Sequence, residues 1–113
     1  HFAGVAIENA MLGITHSCAN PLTSHYGVTH GIAIGILLPH VIRFNESATP
    51  LYADLAKSLK PLKGETPGET VARRVAELVE LAEQPTRLRD LEVSDSILPL
   101  LALEASEQWT AKF

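Results

Sequence analysis

Between Gly31 and Leu38 the chain reads Gly-Ile-Ala-Ile-Gly-Ile-Leu-Leu, its one near-continuous apolar stretch, closed by Pro39 and His40. The run is far shorter than the roughly 20 residues an apolar helix needs to cross a bilayer. As a helix from His30 to about Phe44 it is apolar around nearly all of its circumference, which places it at the centre of a packed fold. Thr29 stands where an N-cap belongs, Pro39 is expected to bend the helix, and Arg43 with Asn45 marks its exit. Gly31, Ala33 and Gly35 leave room for a neighbouring backbone.

The other segments carry helical rhythm in turn. Apolar or small residues at 2, 3, 6, 7, 10, 11 and 14 give the i, i+3, i+4 spacing of one helix from Phe2 to about Cys18. Gly4 and Gly13 would each cost about 1 kcal/mol inside it, so this helix is expected to lie buried against close neighbours. Asn20-Pro21 should end or kink it, followed by a short helical turn to Tyr26 and a stop at Gly27. Thr49-Pro50 opens a helix with a Leu51, Leu55, Leu59 stripe. Lys60 to Glu65 reads as a turn. Thr66-Pro67-Gly68-Glu69 is a capping box, and Val71, Val75, Leu78 and Ala82 form the inner face behind it, with Arg73, Arg74, Glu77 and Glu80 outside. Gln84 to Glu92 reads as a loop with Leu88 and Leu91 tucked inward. Ser94 or Asp95 caps a last helix through Leu98, Leu101, Ala105 and Trp109, with Pro99 in its tolerant first turns. No strand-like alternation, repeat or linker interrupts the pattern. The expected fold is all-α, a bundle of five to six helices forming one domain over residues 1–113.

Composition narrows the function classes. A net charge of -4 with no basic cluster argues against nucleic acid and anionic membrane as partners. A single cysteine excludes an internal disulfide and fits a reducing, cytoplasmic setting. The chain lacks an initiator methionine, opens and closes in helical rhythm, and reads as a piece of a larger polypeptide.

Four of the five histidines and the cysteine fall between Gly13 and Asn45. His16 near the end of one helix and His30 at the start of another can meet at a helix junction. The positive end of a helix dipole favours a neutral ring at His30, as metal binding requires. Two imidazoles are fewer than the three or four protein ligands of a complete site, and spacing alone leaves hydrogen-bonded core histidines as the more frequent alternative. Cys18 reads as a small core residue. His25 beside Ser24 is no catalytic pair, because adjacent side chains diverge. His40 reads as a core histidine bonded to a backbone carbonyl, His1 as a disordered terminus, and Glu8 as solvated or ion-paired. No glycine-rich phosphate loop is present.

The stretch LGITHSCANPLTSHYGVTHGIAIGILLPHVIRFN, Leu12 to Asn45, resembles the metal-binding signature of the iron-containing (group III) alcohol dehydrogenases, whose pattern runs approximately LGxxHxxAHPLGxxYxxPHGxxNAxLLPHVxxFN. The resemblance implies a dehydroquinate synthase-like C-terminal helical domain that in the family follows a Rossmann-like NAD(P)-binding domain. It implies a divalent metal, iron(II) or in some members zinc, held by one aspartate and three histidines. The last two of those histidines match His16 and His30, and the other two ligands belong to an Asp-x-x-x-His motif that this chain lacks. Asn20 stands where many members carry a histidine near the nicotinamide and substrate, so a substrate or nicotinamide contact there would be made by an amide. Thr29 replaces the usual proline.

The implied function is the C-terminal part of a metal-dependent, NAD- or NADP-linked dehydrogenase interconverting a primary alcohol and an aldehyde. The implied partners are a small-molecule substrate, the N-terminal domain and, as a homo-oligomer, further copies, with helix 30–44 as the expected contact surface. The isolated chain is expected to be inactive. The competing reading is a non-catalytic helical interaction module with structural histidines.

Overall fold

The computed structural model describes residues 1–9 and 12–111, with no statement for the side chains of residues 3 and 7–9. Six α-helices account for most of them: α1 (Phe2–Asn9), α2 (Gly13–Tyr26), α3 (His30–Asn45), α4 (Leu51–Ala56), α5 (Pro67–Leu81) and α6 (Leu98–Glu107). Short 3-10 turns at Glu46–Ala48, Leu88–Leu91, Asp95–Ile97 and Trp109–Ala111 join or extend them, and no strand occurs among the described residues. The all-α expectation therefore holds.

Helix α3 is the axis of the packing. It lies against α2 on one side and α5 on the other, with α6 beyond α2 and α4 beyond α5. Its buried stripe is Ala33, Ile36, Pro39 and Ile42. One apolar cluster joins Ala19 and Leu22 of α2 to Val28, Ala33, Val93 and Leu101, with Leu88 and Leu91 packed against it as expected. A second joins Ile42 to Ala56, Val71 and Ala72. A Cβ on Gly35 would sit 3.3 Å from Val79 Cγ2, so glycine at this position lets α3 and α5 lie close.

Several boundaries depart from the pattern-based reading. The single helix expected from Phe2 to Cys18 is two, because Gly13 adopts φ +68°, a left-handed conformation that cannot continue a right-handed helix. Ala10 and Met11, part of the expected stripe, lie outside the described residues. Among the described side chains of α1 the expected burial of this region is not found, since Phe2 is 88% exposed and Val5 is exposed too. Pro21 does not end α2, which continues to Tyr26. The proline withholds a single N–H, while burial of Ala19, Pro21 and Leu22 favours one unbroken element. Gly27 does stop it, at φ +63° with its N–H donating to Thr23 O over 3.0 Å. Helix α3 likewise continues through Pro39 to Asn45, and Thr29 receives the first turn through its carbonyl, with no side-chain cap.

On α4 the inward face is Tyr52 and Ala56, continued by Leu59 in the turn that follows, whereas Leu51 and Leu55 are exposed. On α5 the buried set is Gly68, Thr70, Val71 and Ala72, and Leu78 and Ala82 are exposed. Arg73, expected outside, is three-quarters covered and bonds Glu65, Glu77 and the Lys60 carbonyl. The last helix is α6 alone, with Leu101 and Ala105 buried, and Trp109 lies on a separate turn at 64% exposure. Ser94 caps the turn before it, its Oγ accepting from Ser96 N at 3.3 Å.

Candidate metal centre

Gly27 ends α2 and a two-residue link leads to α3, which folds the start of α3 back along α2. Two histidines 14 positions apart in sequence are thereby brought face to face. The ring centroids of His16 and His30 lie 5.3 Å apart, with the planes inclined at 41°. An ion roughly 2.0–2.1 Å from one nitrogen of each ring would, at a tetrahedral angle, hold the ring centres about 5 Å apart. The pair fits two ligands of one metal.

The donor set is oriented as well as close. His16 Nδ1 lies 3.2 Å from the Leu12 carbonyl oxygen. A carbonyl only accepts, so Nδ1 donates, and a neutral imidazole then carries its free lone pair on Nε2. Both histidines are half-buried. Among the described residues no group of three or more His, Cys, Asp or Glu side chains is placed to hold an ion. Two imidazoles are fewer than the three or four protein ligands of a complete site.

Asn20 is one helical turn after His16 and shares its face of α2. Its Nδ2 donates to Gln108 Oε1 at 2.6 Å. Ser17, the next residue after His16 and one turn before Asn20, is buried and hydrogen-bonded to the buried Thr110 hydroxyl at 2.6 Å. The turn after α6 is thus fastened to the histidine-bearing helix by two polar contacts. No local signal in the sequence links positions 88 and 93 residues apart.

The remaining candidates fall elsewhere. His25 Nε2 donates to Glu104 on α6, 2.8 Å from Oε2, and Ser24 makes no hydrogen bond with either among the described residues. His40 is exposed and has no hydrogen-bond partner among the described residues, contrary to the expected core histidine. It projects from α3 into an open cavity of about 250 Å³ shared with Arg87, Arg89 and Asp95. Cys18 is half-buried beside Leu22, Leu37 and Leu101, and burial pushes its thiol pKa up, as suits a packing residue. His1 packs edge-on against Phe2. The side chain of Glu8 lies outside the described set.

The chain as a whole is similar to known proteins. The family model for the Fe-containing alcohol dehydrogenase family, C-terminal, matches residues 1–112. The chain is 35% identical over 105 residues to 1,3-propanediol dehydrogenase of Klebsiella pneumoniae, covering 88% of this chain and 27% of that protein. It is 34% identical over 110 residues to lactaldehyde reductase of Escherichia coli strain K12, covering 93% of this chain and 29% of that protein. A crystal structure of a 1,3-propanediol oxidoreductase superposes with a TM-score of 0.79 at 32% identity, covering 89% of this chain and 28% of that one. The chain thus spans just over a quarter of the length of these relatives.

Proposed function

Given that this chain belongs to the Fe-containing alcohol dehydrogenase family, we propose that it is the helical, metal-holding part of an NAD(P)-linked enzyme interconverting a primary alcohol and an aldehyde. The observation that carries the reading is the His16–His30 approach at 5.3 Å. Each ring would offer Nε2 to a divalent ion, iron(II) or zinc, whose other ligands come from outside these residues. When bound, such an ion supplies Lewis acidity toward an alcohol oxygen.

The chain's own side chains have separate tasks. The Leu12 carbonyl holds His16 in the tautomer that leaves Nε2 free. Asn20, with one amide N–H engaged by Gln108, keeps its Oδ1 and a second N–H for the substrate or the nicotinamide amide. The Ser17–Thr110 bond keeps the turn after α6 against this face. The nucleotide site and hydride donor belong to a Rossmann-like domain that these residues do not form.

Zinc titration of the chain, followed by histidine ring NMR, tests the centre. Binding through both His16 and His30, weak because only two ligands are present and lost in H16A/H30A, is the expected result. No alcohol-dependent reduction of NAD or NADP is expected from these 113 residues alone. In a polypeptide that also carries the nucleotide-binding domain, the double substitution should remove metal and activity together. If metal and activity survived there, the histidines would be structural and the chain an interaction module.

A further inference from the structure

The left-handed glycine at the head of α2 does more than separate two helices. The peptide plane between residues 12 and 13 is set by Leu12 ψ, -17°, and by Gly13 φ, +68°. That plane carries the Leu12 carbonyl, whose oxygen lies 3.2 Å from His16 Nδ1, one turn along the same helix. We infer that Gly13 is a positioning residue for the His16 imidazole: its backbone conformation aims the Leu12 carbonyl at Nδ1 and so presents Nε2 to the ion. The inference rests on the reading of His16 as a metal ligand, but its chemistry is confined to two peptide groups and one ring.

Two features separate this role from simple helix initiation. A Cβ built on Gly13 meets no atom of the described residues within 4 Å, so among these the dihedral, and not a clash, resists a side chain. An L-residue disfavours φ near +60°, with asparagine among the least averse. Alanine at position 13 would therefore tend to rotate the 12–13 peptide toward an ordinary helical value, taking the carbonyl away from Nδ1. Without that acceptor the ring is free to exchange tautomers, and a proton on Nε2 blocks the nitrogen the metal needs.

The test reads the ring rather than turnover. In the 113-residue chain, ¹⁵N correlation spectra recorded where imidazole is neutral should show His16 with its proton on Nδ1. G13A should convert it to a mixture or to the Nε2–H form, with helical content by circular dichroism unchanged, and G13N should restore the Nδ1–H form. Zinc affinity should fall about tenfold in G13A, the lower end of what loss of an outer-shell partner costs, and recover in G13N. An Nε2–H ring in the unsubstituted chain would overturn the inference whatever the variants do. An unchanged Nδ1–H ring in G13A would overturn it as well. An Nδ1–H ring that responds as described in a chain that never takes up zinc would uphold the positioning and sink the metal reading instead.

Discussion

Gly68 and Glu46 show how one small residue can place a charge. Glu46 follows the last turn of α3, and its carboxylate accepts from Gly68 N at 2.7 Å and from Thr66 Oγ1 at 2.8 Å. It thereby occupies the positive end of α5. The Thr66 hydroxyl also accepts from Glu69 N at 3.2 Å, so half of the sequence's capping box is present. The other half is not, because Glu69 turns outward to a two-pronged pair with Arg43, at 2.6 and 2.8 Å. A charge-assisted fork outcompetes one backbone N–H. A Cβ on Gly68 would lie 2.5 Å from Glu46 Cδ and 2.9 Å from its Cβ, so G68A must expel the carboxylate. Urea unfolding should show a loss of about 1–2 kcal/mol, close to that of E46A, as for other lost caps. In G68A/E46A the two losses should not add, since both remove one interaction. Thr66 was legible here, but Glu46 was not, since it is 20 residues away. The same holds at the candidate metal centre: likeness to the family's signature singled out His16 and His30, although His16 was expected near a helix end and lies in the first turn of α2, while the Gln108 and Thr110 contacts left no local signal.

At the scale of the element, α5 is held to its surroundings by ionised groups as much as by its apolar stripe. Arg73 Nε donates to Glu65 Oε1 at 2.6 Å and its Nη1 bonds Glu77, while Arg74 reaches Glu77 at 3.1 Å. Glu65 also accepts from Leu62 N at 2.7 Å, so the 60–65 turn is closed around the guanidinium. The hydrogen bonds from Arg73 hold Glu65 and Glu77 below the usual carboxylate range, and those from Arg43 do the same for Glu69. A carboxylate whose folded pKa is depressed adds stability above its unfolded value, about 4.3 for glutamate, and that stability disappears as pH falls through the folded pKa. The melting temperature should therefore drop as pH is lowered below about 4.3. R73M should be less stable at pH 7 and should show a shallower acid drop, because Glu65 loses its guanidinium and Glu77 keeps only the weaker contact with Arg74. An equally steep drop in R73M would place the acid sensitivity elsewhere. Periodicity located α5 and its first residue, yet it turned the inner face toward Leu78 and Ala82. That stripe is apolar in composition, but beside Gly31, Ile32 and Gly35 it borders an open groove of about 410 Å³. An apolar stripe reports affinity for cover and not which neighbour provides it. Pro21 misleads as a helix end for a related reason, since it is buried and packing holds α2 continuous to Tyr26.

For the whole molecule, the relevant quantity is apolar surface left in water. Helix 30–44 was the expected contact face, yet Phe44, 73% exposed, is its one exposed large apolar side chain among the described residues. Most of the others fall on different elements, among them Phe2 on α1, Leu51 and Leu55 on α4, Leu78 and Leu81 on α5, Leu100 and Leu103 on α6, and Trp109 beyond it. Exposed apolar residues distributed over several helices favour weak contacts in several directions over one closed dimer, since closure requires a single self-complementary patch. Sedimentation velocity on the chain should accordingly show average mass rising continuously with concentration, without a plateau at two copies. Sulfate should strengthen the effect and moderate urea should weaken it, the opposite of an association driven by ion pairs. Single changes such as F44K or L81K should each reduce it only in part, and L51K/F44K/L81K further. These exposed substitutions should move folding stability by no more than about 0.5 kcal/mol each, which separates surface association from unfolding. A sharp dimer abolished by F44K alone would instead restore α3 as the interface.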